Sequence, residues 1–111
     1  NTAYGALTTA GPSLTIPLAG DYDVIIGARM TSPSGELAMM SYDRGGTGAV
    51  DADAAFAGGS ASTVDAYIER IDRLTGMAAS TTLTAKYRSS GGGTASFENR
   101  RMYLRPVRVT G

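Results

Sequence analysis

The chain has 111 residues, of which 42% are hydrophobic and 18% charged, and its ten basic residues balance ten acidic ones. It contains no cysteine, histidine or tryptophan, which excludes disulfides, thiol nucleophiles, the usual zinc sites and any Ser-His-Asp triad. This length predicts one domain over residues 1–111, and because Asn1 is not an initiator methionine we expect it to belong to a longer chain. The zero net charge and the short apolar runs predict neither nucleic-acid binding nor a membrane span.

The first third of the chain alternates apolar and polar residues, as a strand with one buried face does. This pattern predicts a strand over residues 13–18, with Leu14, Ile16 and Leu18 on its buried face and Pro17 at an edge position, and a longer strand over residues 21–30. One face of the longer strand carries Tyr22, Val24, Ile26, Ala28 and Met30. Five turn-forming residues at 31–35 lead into a third strand at 36–42, and we expect the second and third strands to form a hairpin.

The middle of the chain allows more than one interpretation. Residues 43–61 are rich in glycine, alanine, aspartate and serine, which predicts a long loop with one short strand near Val50. Residues 63–74 place apolar side chains at helical spacing, but their neighbours on both sides are strands. A helix therefore stays open, while we favour a charged strand at a sheet edge with Arg70 and Arg73 pointing outward.

The last third of the chain alternates again. It predicts a strand over residues 82–88, a glycine-rich turn, and a final strand or pair of strands over residues 95–109, which together form a second hairpin. In the final part Met102 faces away from Tyr103, and Pro106 marks a bend or an edge. Seven or eight such strands without a βαβ unit predict an all-β fold, an antiparallel jelly-roll-like β-sandwich.

The charges are distributed unevenly along the chain. Residues 1–60 hold six acidic residues against two arginines, a net charge of −4, whereas residues 61–111 hold four acidic against eight basic residues, a net charge of +4. Acidic and basic strands that pair within one fold are the simpler interpretation. A head-to-tail contact between identical subunits would use the same asymmetry.

Two acidic pairs have the spacing at which carboxylates on a strand can share a proton or a cation, namely Asp21 with Asp23 and Asp51 with Asp53. The second pair lacks the further acid and glycine of a calcium loop, and carboxylates this close on one strand do not flank a glycosidic bond from both sides. We therefore expect solvated surface pairs, with no catalytic residue, no metal and no cofactor. Asp51 and Asp53 remain candidate surface contacts for a ligand.

The six tyrosines could form a stacking platform for sugars. Four of them fall within strand patterns, where burial explains them: Tyr22, Tyr42, Tyr87 and Tyr103. Tyr4 and Tyr67 are less constrained by the pattern, so they join the two aspartates as candidate surface contacts.

Arg100 and Arg101 are adjacent, so in a regular strand one of them points toward a core or an interface. A buried arginine needs a carboxylate or carbonyl partner, and Glu98 lies two residues before Arg100, on the same face of a regular strand. A salt bridge within the domain is the simpler interpretation. The alternative is an arginine anchor at a subunit interface, for which both arginines are candidates.

Five segments occur in an order that is informative: Gly20-Asp-Tyr-Asp-Val24, Met40-Ser-Tyr42, Thr81-Thr-Leu-Thr-Ala-Lys-Tyr-Arg88, Phe97-Glu-Asn-Arg100 and Arg105-Pro-Val-Arg-Val109. Across most of residues 13–109 this order resembles small β-domains of tailed-bacteriophage virion proteins. The resemblance implies a jelly-roll-like, non-enzymatic domain on the virion surface, in a tail fibre, minor tail protein, head fibre or decoration protein. It also implies a homotrimer that contacts other virion proteins, with a host-surface glycan as a further partner. The matched positions determine the fold and carry no binding residues over to this chain.

A second function stays open, because a carbohydrate-binding module can share the sandwich architecture. An exposed, coplanar pair of tyrosine rings flanked by aspartate or arginine would favour such a module. An apolar patch related by threefold symmetry would favour the virion role.

Overall fold

Seven β-strands in two antiparallel sheets form the computed structural model, which describes residues 3–7 and 11–110. Asn1, on which the expectation of a longer chain depends, lies outside the described residues. The elements are β1 (Ser13–Thr15), β2 (Ala19–Thr31), β3 (Leu37–Arg44), a short 3₁₀ helix (Asp51–Asp53), β4 (Ala55–Gly58), β5 (Asp65–Met77), β6 (Thr82–Ser89) and β7 (Ser96–Thr110). In this part of the chain, no helix combines the length and the apolar character that crossing a bilayer requires.

The strands divide into a four-stranded sheet, ordered β1-β6-β3-β4, and a three-stranded sheet, ordered β5-β2-β7. The inner faces of the two sheets pack against each other in a sandwich-like arrangement, which confirms the all-β prediction. The core draws on alternate residues of the long strands: Tyr22, Val24, Ile26, Ala28 and Met30 of β2, Ala38, Met40 and Tyr42 of β3, and Leu83, Ala85 and Tyr87 of β6. The predicted buried face of β2 is therefore confirmed residue by residue.

Both predicted hairpins are wrong. β2 pairs with β5 and β7, and β3 pairs with β4 and β6, so the two strands of each predicted hairpin, β2 with β3 and β6 with β7, lie in different sheets. Alternation shows which face of a strand is buried but not which strand lies beside it, and a five-residue connection can span the roughly 10 Å between packed sheets. In the connection from β2 to β3 the Ser32 N–H donates to the Val64 carbonyl at 2.8 Å, and the Ser32 hydroxyl accepts from the Val64 N–H at 3.1 Å.

The ambiguous stretch at residues 63–74 forms most of β5, at the edge of the three-stranded sheet. The predicted edge strand is confirmed, and Arg73 points outward as expected. The prediction for Arg70 is wrong, because its side chain lies on the inner side, 2.9 Å from the Asp72 carboxylate and 3.4 Å from the Ala54 carbonyl. Positions 70 and 73 are an odd number of residues apart, so they point to opposite faces of a strand.

The first strand is shorter than predicted and ends at Thr15. Pro17 has no N–H to pair with a neighbouring strand. The Tyr22 hydroxyl forms two hydrogen bonds with the backbone of Leu18, donating to its carbonyl at 2.5 Å and accepting from its N–H at 3.3 Å. Leu18 consequently lies exposed, although alternation placed it on the buried face. The short strand expected near Val50 exists as β4, which begins five residues later.

β7 is the other edge of the three-stranded sheet and confirms two predictions. Met102 is buried while Tyr103 is exposed. Asp21 pairs with Arg108 and Tyr22 with Pro106, which leaves Val107 as an extra residue in a bulge. Pro106 therefore lies at a bend of an edge strand, where its missing N–H costs no ladder hydrogen bond.

Candidate functional site

The solvent-facing side of the three-stranded sheet, which we call the outer face, aligns β5, β2 and β7 in five rows of three residues. Named in the strand order β5, β2, β7, the rows are Asp65, Thr31 and Ser96; Tyr67, Arg29 and Glu98; Glu69, Gly27 and Arg101; Ile71, Ile25 and Tyr103; and Arg73, Asp23 and Arg105. Large apolar and aromatic side chains lie open among these charges, with Ile71 60%, Tyr103 48% and Tyr67 44% exposed. The outer face therefore differs from the polar surface expected on the solvent side of a small sandwich.

The last row forms a basic end on the outer face. The Asp23 carboxylate lies between two arginines, accepting from Arg73 Nε at 2.6 Å and from Arg105 Nη2 at 2.7 Å. The hydrogen bonds from Arg73 and Arg105 hold the pKa of the Asp23 carboxyl below its ordinary value of 3.8. Asp23 is 6% exposed, so the expectation of a solvated aspartate at this position is wrong. Two arginines and one carboxylate leave this row with a net positive charge.

A glycine in the middle row makes space for two long side chains. A Cβ atom on Gly27 would lie 2.6 Å from Glu69 Cγ and 2.9 Å from the Tyr67 hydroxyl, so both side chains lean across the sheet where a larger residue would block them. The Tyr67 hydroxyl donates to Glu69 at 2.8 Å, and burial together with this hydrogen bond raises the Tyr67 pKa. The Arg101 guanidinium lies 5.9 Å from the centre of the Tyr67 ring. These three side chains form one connected cluster at the centre of the outer face.

At the opposite end of the outer face, Arg29 and Asp65 form an ion pair. Arg29 contacts the Asp65 carboxylate with two donors, Nε at 3.0 Å and Nη2 at 2.8 Å. Both side chains are about half exposed, and such an exposed pair contributes roughly 0 to 1 kcal/mol. The donors of Arg29 are thereby directed at Asp65.

Of the four predicted surface contacts, Tyr4 and Asp51 are brought together and Tyr67 lies apart from them on the outer face. The Tyr4 hydroxyl donates to Asp51 at 2.7 Å, and Arg88 lies 3.4 Å from the same carboxylate oxygen and 5.6 Å from the centre of the Tyr4 ring. Burial and the contact with Asp51 raise the Tyr4 pKa. A role of these residues in ligand contact stays a prediction, and in the structure they join the N-terminal segment to the 3₁₀ helix.

The fourth predicted contact, Asp53, belongs to a separate polar network. Its carboxylate lies 2.9 Å from Arg44, whose guanidinium is 5.3 Å from the centre of the Tyr42 ring. The Tyr42 hydroxyl in turn donates to Asp72 at 3.0 Å. This network joins the central loop to β5, so Asp53 has a structural partner.

Three ion pairs among the described residues join an acid of residues 1–60 to a base of residues 61–111. They are Arg73 with Asp23, Arg105 with Asp23, and Arg88 with Asp51. Pairing within one fold, the simpler interpretation of the charge asymmetry, is therefore confirmed. A head-to-tail subunit contact stays a prediction.

Arg100 and Arg101 point to opposite faces, as predicted, but a bulge changes their relation to Glu98. Arg29 pairs with Glu98 and Gly27 with Arg101, so Asn99 and Arg100 both stand opposite a single residue of β2, and Asn99 has a φ of 51°. The extra residue reverses the alternation, which places Glu98 on the outer face and Arg100 on the inner side. The expectation that these two share a face is therefore wrong.

The inward arginine of this pair lies near the core. The Arg100 guanidinium is 5.4 Å from the centre of the buried Tyr87 ring. The prediction that one of the two arginines points toward the core is confirmed, and a role of Arg100 or Arg101 in a subunit interface stays a prediction.

The residues of the basic row were missed as a group by the sequence analysis. Arg73 and Arg105 are 50 and 82 residues from Asp23 along the chain, and no local spacing connects them. Tyr103 was assigned to burial, which is wrong, because it lies on the outer face next to Arg105. Within residues 3–7 and 11–110, no three carboxylates lie close enough together to hold a metal ion.

No protein-family model matches the chain, and no curated protein and no solved structure matches it either. Its function is therefore inferred from the residues of the outer face and from the sequence resemblance.

Proposed function

We propose that this chain is a non-enzymatic structural domain of a tailed-phage virion, displayed on the head or tail in a fibre or decoration protein, and that it contacts its target through the outer face. The supporting observation is that exposed Ile71, Tyr67 and Tyr103 lie beside arginines held by carboxylates. Aromatic residues and arginine are the types enriched where proteins make specific contacts. The jelly-roll connectivity implied by the resemblance belongs to the same proposal, and the antiparallel two-sheet architecture is compatible with it.

Subunit association into a trimer would use a different surface. Leu18, Val107 and Val109 are each more than 40% exposed, at the end of the sheet where β2 begins and β7 finishes. Burying apolar surface there would stabilise a trimer by about 25 cal/mol for each Å² removed from water. The outer face would then stay free on each subunit for the target.

Absolute mass in solution tests the trimer. Light scattering behind a sizing column should give about 34 kDa, three times the 11.4 kDa of one chain. Val107→Asp should reduce this mass to that of one chain, while Ile71→Asp should leave it unchanged. A wild-type mass of 11.4 kDa at every concentration would rule out trimerisation of this chain by itself.

A carbohydrate-binding module is the second candidate, because Tyr67 and Tyr103 share the outer face with Glu69 and Arg101. Aromatic rings beside hydrogen-bonding charges are suited to sugars. Both functions use the same surface, so they differ in whether the domain is part of a particle.

A matched pair of variants tests the outer face itself. Ile71 on β5 and Phe56 on β4 are 60% and 54% exposed, so aspartate at either position should leave the fold intact. Labelled wild-type protein would be incubated with a panel of bacterial cells and purified cell-envelope glycans. We expect Ile71→Asp to lose binding at least tenfold and Phe56→Asp to retain it. The opposite pattern would place the contact surface on the four-stranded sheet.

A further inference from the structure

Arg73 and Arg105 retain most of their hydrogen-bond donors. Arg73 uses Nε and Arg105 uses Nη2 to contact Asp23, and within the described part of the chain these are their only hydrogen bonds. A guanidinium group carries about five N–H donors, so each arginine has about four left. The two side chains are 55% and 64% exposed, which leaves these donors accessible from the solvent.

Asp23 fixes the geometry of the two arginines. Each oxygen of its nearly buried carboxylate accepts a hydrogen bond from a different guanidinium group, so this one carboxylate holds both arginines in place. Arginines restrained in this way lose less conformational entropy when a ligand binds. Because two positive charges face one negative charge, the row keeps an attraction for one further anionic group.

The neighbouring rows restrict what else the ligand carries. Tyr103 is two residues from Arg105 on the same face, a separation of about 7 Å along the strand. One row beyond it stands Glu69, whose carboxylate would repel a second anionic group but can accept a hydrogen bond from a hydroxyl. The face thus offers, in order, a cationic row, an apolar and aromatic row, and a hydrogen-bond acceptor.

The size of the outer face also limits the ligand. From Asp23 to Thr31 the face is about 27 Å long, and three strands are about 14 Å wide, which gives roughly 400 Å². A standard protein–protein interface buries about 800 Å² on each partner. A ligand of a few sugar units matches this area better than a folded protein does.

We propose that Arg73 and Arg105 bind the carboxylate of an acidic sugar, with the sugar ring packed on Tyr103 and a hydroxyl directed toward Glu69. The inference rests on the proposed use of the outer face as the contact surface, and it names the chemical class of the ligand. Asp23 acts as a positioning residue that never contacts the sugar.

Titrations followed by NMR test the ligand class directly. The probes are a short oligosaccharide of glucuronic acid, the neutral glucose oligosaccharide of equal length, inorganic phosphate and a tetraglutamate peptide. At low salt we expect the glucuronic acid oligosaccharide to shift the side-chain N–H signals of Arg73 and Arg105 and the ring signals of Tyr103. It should bind at least tenfold more tightly than each of the other three probes, because one carboxylate in a bidentate site is worth about that factor.

Single substitutions identify the residues responsible. Arg105→Gln should weaken binding of the glucuronic acid oligosaccharide at least tenfold. Arg105→Lys keeps a positive charge next to Asp23, so it separates an effect on binding from an effect on folding. It should still weaken binding, because lysine lacks the planar set of donors of the guanidinium group. Lys86→Gln is the control, since Lys86 is a cation on β6 of the four-stranded sheet, away from the outer face, and this variant should bind as wild type does.

Each alternative outcome overturns the inference in a distinct way. Equal binding of the neutral oligosaccharide would show that the carboxylate is not recognised, and equal binding of phosphate would show an anion site without sugar selectivity. Tighter binding of tetraglutamate would indicate a peptide partner instead. If Ile71→Asp loses cell binding while Arg105→Gln does not, the proposed contact surface stands and the acidic sugar fails. If neither variant loses cell binding, the contact surface fails as well.

Discussion

Replacing Ile26 with alanine tests the strand register that defines the outer face. Ile26 is 1% exposed and points into the core, whereas its neighbour Ile25 points the other way and pairs with Ile71, which is 60% exposed. Ile26 and Ile71 therefore belong to neighbouring strands of one sheet but to opposite faces. The same truncation at the two positions should have very different effects on the free energy of unfolding.

The size of the effect follows from what each truncation removes. Isoleucine to alanine deletes three carbons, and at about 0.8 kcal/mol per buried carbon the loss of burial costs about 2.4 kcal/mol at Ile26. If the neighbours do not relax, a cavity of roughly 75 Å³ at about 24 cal/mol per Å³ adds about 1.8 kcal/mol. We therefore expect a loss of about 2.4 to 4.2 kcal/mol. At Ile71 the deleted carbons are mostly in water already, so the loss should stay below about 1 kcal/mol.

Urea denaturation followed by circular dichroism measures both losses. A domain of this length is expected to unfold with about 6 to 17 kcal/mol, so Ile26→Ala should remain folded and the linear extrapolation should apply. The two variants should share the denaturant slope of the wild type and differ in midpoint. A loss at Ile71 equal to or larger than that at Ile26 would mean that the faces of the three-stranded sheet are exchanged, and the outer face would then not exist as a surface.

Three further predictions concern stability. Because Arg73 and Arg105 hold the pKa of Asp23 below 3.8, their ion pairs stabilise the fold above about pH 4, and this contribution is lost as the pH falls through the lowered pKa. The melting temperature of the wild type should therefore drop more between pH 5 and pH 2.5 than that of Asp23→Asn. Equal drops in the two proteins would contradict the pairing. Gly58→Ala should destabilise the fold by at least about 1 kcal/mol in urea denaturation, because Gly58 has a φ of 118° and a Cβ would lie 2.3 Å from the Glu36 carbonyl oxygen. Gly92→Ala is the control and should stay within about 0.5 kcal/mol of the wild type, because a Cβ there would have no atom within 4 Å. Similar losses for both variants would contradict the backbone conformation at Gly58. Val24→Asp should abolish cooperative thermal unfolding, because it buries an unpaired charge in the core, and a normal melting curve would show that the register of β2 is wrong.

Several features of the fold follow from local patterns. Alternation along β2 predicted the five apolar residues that this strand contributes to the core, since the side-chain period of two is a property of every extended strand. The charged strand at residues 63–74 was assigned correctly because both neighbouring segments are strands and charged side chains are suited to a sheet edge. The position of Pro106 at an edge followed from its missing N–H.

The errors share a different physical cause. Leu18 does not lie on its predicted face, because its backbone N–H and carbonyl form hydrogen bonds with the Tyr22 hydroxyl. Glu98 and Arg100 were separated by one bulged residue, and a shift of one residue moves every following side chain to the other face. Neither event changes the pattern of apolar residues by which strands are recognised.

By itself, the sequence determined the all-β class, the buried face of the long strand β2 and the absence of cysteine and histidine chemistry, because composition and alternation are local properties. Only the tertiary structure decided which strands are neighbours, and therefore that Arg73 and Arg105 meet at Asp23 on an exposed face. Strand pairing depends on competition among several amphipathic strands for one core, and the chosen partners lie 50 and 82 residues from Asp23. A contact between residues so far apart has no local signature, because its energy is gained only when the whole sheet has formed.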